Sequence, residues 1–106
     1  METERRKLVT VVTEAPLEQN LLKDLERLGA GGYTVTDARG KGSRGVRDAQ
    51  WDQSGTIRVE VLCDAPTATA IAMHLKDRYY ENYAMVLFIS DVEVLRPAKF
   101  GSVDIR

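Results

Sequence analysis

A single cysteine, Cys63, excludes any internal disulfide from this 106-residue chain, and with it the cross-linked architecture of small extracellular domains. No apolar run approaches membrane-spanning length, and the N-terminal METERRKLVTVVTEAP has neither the apolar core nor the small-residue cleavage site of a secretory signal. A cytoplasmic protein is therefore expected. The one histidine, His74, has no second histidine or cysteine pair beside it, so no metal site is expected. No nucleophile, base and orienting residue gather on one element, and no pair of carboxylates asks for an acid–base role; binding is expected rather than turnover. The hydrophobic fraction of 43% and charged fraction of 29% are ordinary for a globular domain. Residues 1–106 make one domain, with a core small enough that oligomerisation would help it.

What the chain does have is an uneven charge. Between Ala38 and Arg47, ARGKGSRGVR holds four cations and three glycines with no acid. The whole chain carries a net charge of −1, so the 97 residues outside positions 39–47 sum to −5. A general nucleic-acid binder is usually basic throughout, whereas here the positive field is confined to one stretch.

A repeated pattern locates that stretch. Val11–Pro16 (VVTEAP) and Val61–Pro66 (VLCDAP) lie fifty residues apart, and each joins a β-branched run to a helical pattern. In the first half, Leu8–Thr13 reads as a strand. Leu17, Leu21, Leu25 and Leu28 then share one helical face closed by Gly29, and GGYTVTDA reads as a second strand. In the second half, Ile57, Val59, Val61 and Cys63 alternate with Arg58, Glu60 and Leu62. Ala68, Ile71, Ala72, Leu75 and Tyr79 follow as a helical stripe, and AMVLFISDVEVL as a last strand. The order β-α-β-β-α-β predicts an α+β, ferredoxin-like fold: a four-stranded antiparallel sheet with both helices on one face. The uncovered face should then alternate apolar and polar residues. Met85–Ile89 is instead apolar at every position, and Leu8, Val9, Val11 and Val12 nearly repeat this. A second subunit is expected to cover that face.

The glycine-rich stretch falls between strands two and three. Gly40-x-Gly42-x-x-Gly45 matches a dinucleotide fingerprint in form only, because VRDAQWDQSG and then a strand follow it where a helix should begin. Lys41 precedes Gly42 rather than Ser or Thr, so it is not a P-loop. A more general mechanism survives: glycines let successive backbone N–H groups turn toward an anion, and Arg44 and Arg47 lie close enough to close around one polyphosphate. A solvated surface loop is the competing reading of the same residues.

Together, GAGGYTVTDARGKGSRGVR, the leading KLVTVVTE and the later YYENYAMVLFISDVEVL resemble the PII-like signal-transduction proteins. The resemblance runs from about Lys7 to Leu95 and points to the carbon-sensing branch that includes SbtB and the carboxysome-associated PII type. It implies a homotrimer of ferredoxin-like subunits with an adenine nucleotide (ADP, AMP, cyclic AMP or ATP) in the clefts between them. The loop of about residues 41–55 would be the T-loop that meets a target, and residues 96–106 a short C-terminal tail. By position, Thr34 would line the cleft. Gly40, Lys41, Gly42 and Ser43 would surround ribose and phosphate, Arg44 and Arg47 would hold the phosphates, and Tyr83, Ala84 and Met85 would wall the adenine. The resemblance further implies bicarbonate as a second ligand, and a bicarbonate transporter or carboxysomal component as partner, with recruitment to the membrane through that partner.

The departures from the family are specific. Gly40 stands where nitrogen-sensing members have the Gln used for 2-oxoglutarate, residues 42–55 contain no Tyr to modify, and RPAKFGSVDIR offers no clear arginine pair and no C-terminal Cys pair. Neither 2-oxoglutarate sensing, uridylylation nor a C-terminal thiol switch is expected. Cys63, in phase with Ile57, Val59 and Val61, reads as a core thiol. Glu14 and Asp64 recur at equivalent places and read as helix starts. Trp51, the one tryptophan, is either tucked onto the subunit surface or an anchor for a partner. Two other functions compete, the first of which shares this element order. An RNA-binding module would need aromatics on the central strands, which KLVTVVT and TIRVEVLC lack, and a slow nucleotide phosphatase would need a catalytic group not evident here.

Overall fold

The computed structural model describes residues 2–40 and 55–95. Strand β1 (Glu4–Glu14) passes through a single 3-10 turn (Ala15–Leu17) into helix α1 (Glu18–Arg27), followed by β2 (Thr34–Ala38), β3 (Thr56–Cys63), α2 (Ala65–Tyr79) and β4 (Met85–Val94). The four strands form one antiparallel sheet in the order β2-β3-β1-β4. This is the expected β-α-β-β-α-β arrangement, with β1 extending several residues beyond Leu8 toward the N-terminus.

Side-chain period assigns the residues to faces. Val9, Val11, Val59, Val61 and Ile57 point one way and form the core with Leu21 and Leu25 of α1 and Ile71, Leu75 and Tyr79 of α2. Cys63 closes this layer; burial first, and then the neighbouring Asp64 charge, push its thiol up to about 11. That is the core thiol its strand phase predicted.

The residues between them face away from the helices. Cross-strand partners share a face, so the pairs Leu8↔Leu62, Val12↔Val86 and Thr10↔Phe88 place an apolar strip there. Val86 and Phe88 remain 53% and 43% exposed. Ile89 is on the helical side of the edge strand β4 yet is also exposed, beyond Met85 and Leu87, which pack on the core. The outward N–H of Leu87 is not bare: it donates to the Tyr80 hydroxyl at 2.9 Å.

Local signals set the helix ends. Gly29 has φ +96°, and the bonds Gly29 N–H to Glu26 O (3.2 Å) and Ala30 N–H to Leu25 O (3.0 Å) make a Schellman stop for α1. At the start of α2, Asp64 accepts from the Thr67 N–H at 3.0 Å with Pro66 in the first turn. Glu14 departs from the expectation that it plays the same part. Its side chain does not cap the turn that follows it; it accepts from the Ala84 N–H at 2.7 Å instead.

The helices are tied by a polar cluster that the leucine stripe conceals. Asp24 of α1, 1% exposed, accepts from the Tyr79 hydroxyl of α2 at 2.5 Å and from Arg27. Arg78 Nε donates to the same Tyr79 oxygen at 3.0 Å, and Nε of His74 and of Arg78 each lie 3.5 Å from the carboxylate. Burial, and then the bond to Asp24, raise the Tyr79 phenol above its usual range. A buried carboxylate is tolerable only when its oxygens are occupied in this way.

Two substitutions test these points. Gly29→Ala keeps the space but not the left-handed backbone, and should lower unfolding free energy by about 1 kcal/mol in urea at unchanged m-value. Tyr79→Phe, which takes one charge-assisted bond from Asp24, should cost about 2 kcal/mol in the same measurement; an unchanged midpoint would mean that the tie adds no stability.

Candidate functional site

The helix-free face carries a pocket of about 520 Å³ lined by Leu8 of β1, Glu60 and Leu62 of β3, Thr34 of β2 and the preceding loop residues Gly31, Gly32 and Tyr33. Its volume is in the range that takes a small organic ligand. The chain builds it in a simple way. After the Schellman stop, the glycines at 31 and 32 bring backbone without side chains to the mouth, and a Cβ added at Gly32 would meet nothing within 4 Å. Tyr33 stands exposed at the rim. Thr34 and Glu60 are direct cross-strand partners, so a hydroxyl and a carboxylate project side by side. Glu60 accepts from Arg58 at 3.3 Å. Apolar walls with a hydroxyl and a carboxylate suit a small organic group with a polar edge. The carboxylate would repel phosphate.

Of the residues singled out from the sequence, Thr34 therefore lines the pocket. Gly40 is exposed two residues past the end of β2, with nothing within 4 Å of a Cβ placed on it. Tyr83 is half-buried and meets Tyr79 edge to face, with ring centroids 5.9 Å apart. Ala84 and Met85 are buried, 3% and 6% exposed. Lys41, Gly42, Ser43, Arg44, Arg47 and Trp51 lie outside the described residues.

The register separates these groups. Thr34 is level with Glu60, Thr10 and Phe88. Met85 pairs with Thr13, three residues further along β1 and three strands across the sheet from β2. That is about 10 Å along the strands and about 14 Å across them. Ala38, two residues before Gly40, is level with Thr56 and Glu14, at the same end as Met85. One protomer thus holds Gly40, Ala84 and Met85 at one end of the sheet, Gly40 at the β2 edge and Ala84 and Met85 at the β4 edge, with the Thr34 pocket toward the other end.

Sequence reasoning missed Leu8, Gly31, Gly32, Tyr33, Glu60 and Leu62 as pocket residues. A signal for two of them was present: Glu60 and Leu62 sit on the outward phase of a strand whose inward phase is wholly apolar. Among the described residues no group of three His, Cys, Asp or Glu side chains could hold a metal ion, and no helix is long and apolar enough to cross a membrane.

The fold has known counterparts. Residues 6–99 match the family model of nitrogen regulatory protein P-II. A candidate PII-like signaling protein from Thermus thermophilus superposes with a TM-score of 0.80 at 40% identity, over 94% of this chain and 99% of that one. CPII from Thiomonas intermedia superposes with a TM-score of 0.83 at 22% identity in its complex with ADP, AMP and acetate, over 95% of this chain and 99% of that one. In its complex with ADP and bicarbonate the values are 0.81 and 23%, over 93% and 97%. The family model reaches from β1 past the end of β4, and a structure with two-fifths of its residues identical has the same sheet and helices; the chain belongs to the nitrogen regulatory protein P-II family.

Proposed function

We propose that this protein is a regulatory sensor: a homotrimer that binds an adenine nucleotide in the clefts between its subunits and uses residues 41–55 as a T-loop to meet a partner. The observation that carries this reading is the split geometry. Thr34 and its pocket lie toward one end of the sheet, and Gly40, Ala84 and Met85 lie at the other, too far apart for one small ligand. In a cyclic assembly the two ends of neighbouring subunits meet, and each cleft takes one half from each. Exposed Val86 and Phe88, with half-buried Leu8, Val12 and Leu62 beside them, supply the apolar surface for such a contact.

Charge orients the ligand. Glu60 makes its end of the cleft unsuited to phosphate. The phosphates go to the other end, where Lys41, Gly42 and Ser43 continue from Gly40 and where Arg44 and Arg47 add the charge-assisted bonds. The structures of CPII with ADP, AMP and bicarbonate support an adenine nucleotide and bicarbonate as the ligands to try first. Gly40 in place of the nitrogen sensors' Gln, and the resemblance to the SbtB and carboxysome-associated type, favour inorganic-carbon acquisition as the regulated process. The partner is then a bicarbonate transporter or a carboxysomal component, with Trp51 as the aromatic anchor of the contact. Nucleotide acts by differing contacts with the T-loop in its ordered and open states.

Calorimetric titration with AMP, cyclic AMP, ADP and ATP, each with and without bicarbonate, tests the ligand. Arg44→Ala should weaken the preferred nucleotide roughly tenfold or more, as expected for losing one charge-assisted bond; an unchanged Kd removes the loop from the site. The split is tested by mixing. Thr34→Arg and Arg44→Ala should each abolish or weaken binding alone, but protomers refolded together in equal amounts should recover roughly a quarter of the sites by random assembly around a cyclic axis. A site inside one protomer recovers none. Phe88→Glu should reduce the sedimenting species from three chains to one.

A further inference from the structure

We propose that Glu14 is a positioning residue, which joins the start of β4 and the return of the chain at Gly55 into one mechanical unit at the end of the sheet away from the Thr34 pocket. Three consecutive residues, the last two of β1 and the first of the turn after it, make the joint. The Thr13 hydroxyl donates to the Ala84 carbonyl at 2.7 Å, the Glu14 carboxylate accepts from the Ala84 N–H at 2.7 Å, and the Ala15 N–H donates to the Gly55 carbonyl at 3.1 Å. Both polar groups of Ala84 are therefore held by neighbours in one strand. The next residue of that strand's continuation holds a segment 29 positions earlier in the chain.

The joint is stiff for identifiable reasons. Thr13 is fully buried, Glu14 is 9% exposed and Ala84 3%, so water offers these groups little replacement bonding. A carboxylate is an expensive choice for such a place, and a short bond to a backbone N–H is the kind of partner that justifies it. Gly55 has φ +81°, and a Cβ there would sit 3.7 Å from that of Ala15, so the left-handed backbone rather than crowding demands glycine. Met85, which follows Ala84, pairs with Thr13 in the sheet, so moving the start of β4 strains the same corner.

Taken with the reading that Ala84 and Met85 wall a nucleotide, on which this part rests, the joint makes Glu14 a determinant of affinity without touching the ligand. It also transmits any displacement of Ala84 to Gly55, where the chain returns from residues 41–54.

Amide hydrogen exchange on the full chain tests the joint with no ligand present. Glu14→Ala should speed exchange of both the Ala84 and the Ala15 amides roughly tenfold, the loss expected for one charge-assisted bond, with the Leu25 and Val59 amides unchanged. Glu14→Gln, which keeps an acceptor oxygen, should restore both. Acceleration of Ala84 alone, or of all four amides alike, overturns the proposal. If Glu14→Ala does not fold, Thr13→Val removes the other half of the clamp and should give the same pattern. The second arm titrates ADP: Glu14→Ala should bind roughly tenfold more weakly than the parent and Glu14→Gln nearly as well, whereas equal affinities overturn the positioning role. Failure of the parent to bind any adenylate sinks the nucleotide reading instead, and the exchange rates still decide the joint.

Discussion

Two helices cover one face of a four-stranded sheet and leave the other bare. This constraint governs the molecule. The covered face takes Val9, Val11, Ile57, Val59 and Val61 out of water completely or nearly so. The bare face carries exposed Val86 and Phe88 and half-buried Leu8, Val12 and Leu62, where a sheet facing water would ordinarily alternate to polar side chains. It also carries the pocket, because only there can Thr34, Glu60 and the glycine-bearing loop point into open space. Ligand site and association surface compete for one side of one sheet, and the arrangement proposed here lets each complete the other.

The internal repeat gives the fold economy but not symmetry. Glu14 and Asp64 hold equivalent places between a strand and a helix, and both are acids followed by Ala-Pro. Asp64 has the shorter side chain and bends back to the Thr67 N–H of its own helix. Glu14 is one methylene longer, leads into a 3-10 turn, and reaches across to Ala84. A single carbon separates a local cap from a long-range joint. The difference falls at the end of the sheet where the loop between β2 and β3 begins.

The sequence was most legible where periodicity is strict. Strand alternation in β3, the Leu17-Leu21-Leu25 stripe and the Ala68-Ile71-Leu75-Tyr79 stripe gave the elements and their faces, and Gly29 gave the stop of α1. The apolar run at Met85–Ile89 was read as buried on both sides; within one protomer Val86, Phe88 and Ile89 are exposed. Asp24 was hidden because it falls on the leucine face of its helix, three residues from Leu21 and seven from Leu17, where an acid looks like an interruption until Tyr79 is seen opposite it. The pocket was legible only through Thr34, since Glu60 becomes its neighbour through strand register, which no local pattern encodes. Glu14 was misread because its partner lies 70 residues away.

Cys63 carries a consequence for how such a protein listens to the cell. With its thiol pushed up to about 11, essentially none is thiolate at neutral pH, and the sulfur sits in the packed layer between sheet and α2. It is also the chain's one cysteine. Glutathione and disulfide exchange therefore find almost no thiolate to address. A shift in the cell's thiol–disulfide balance has little purchase on this sulfur, however the rest of the molecule is tuned.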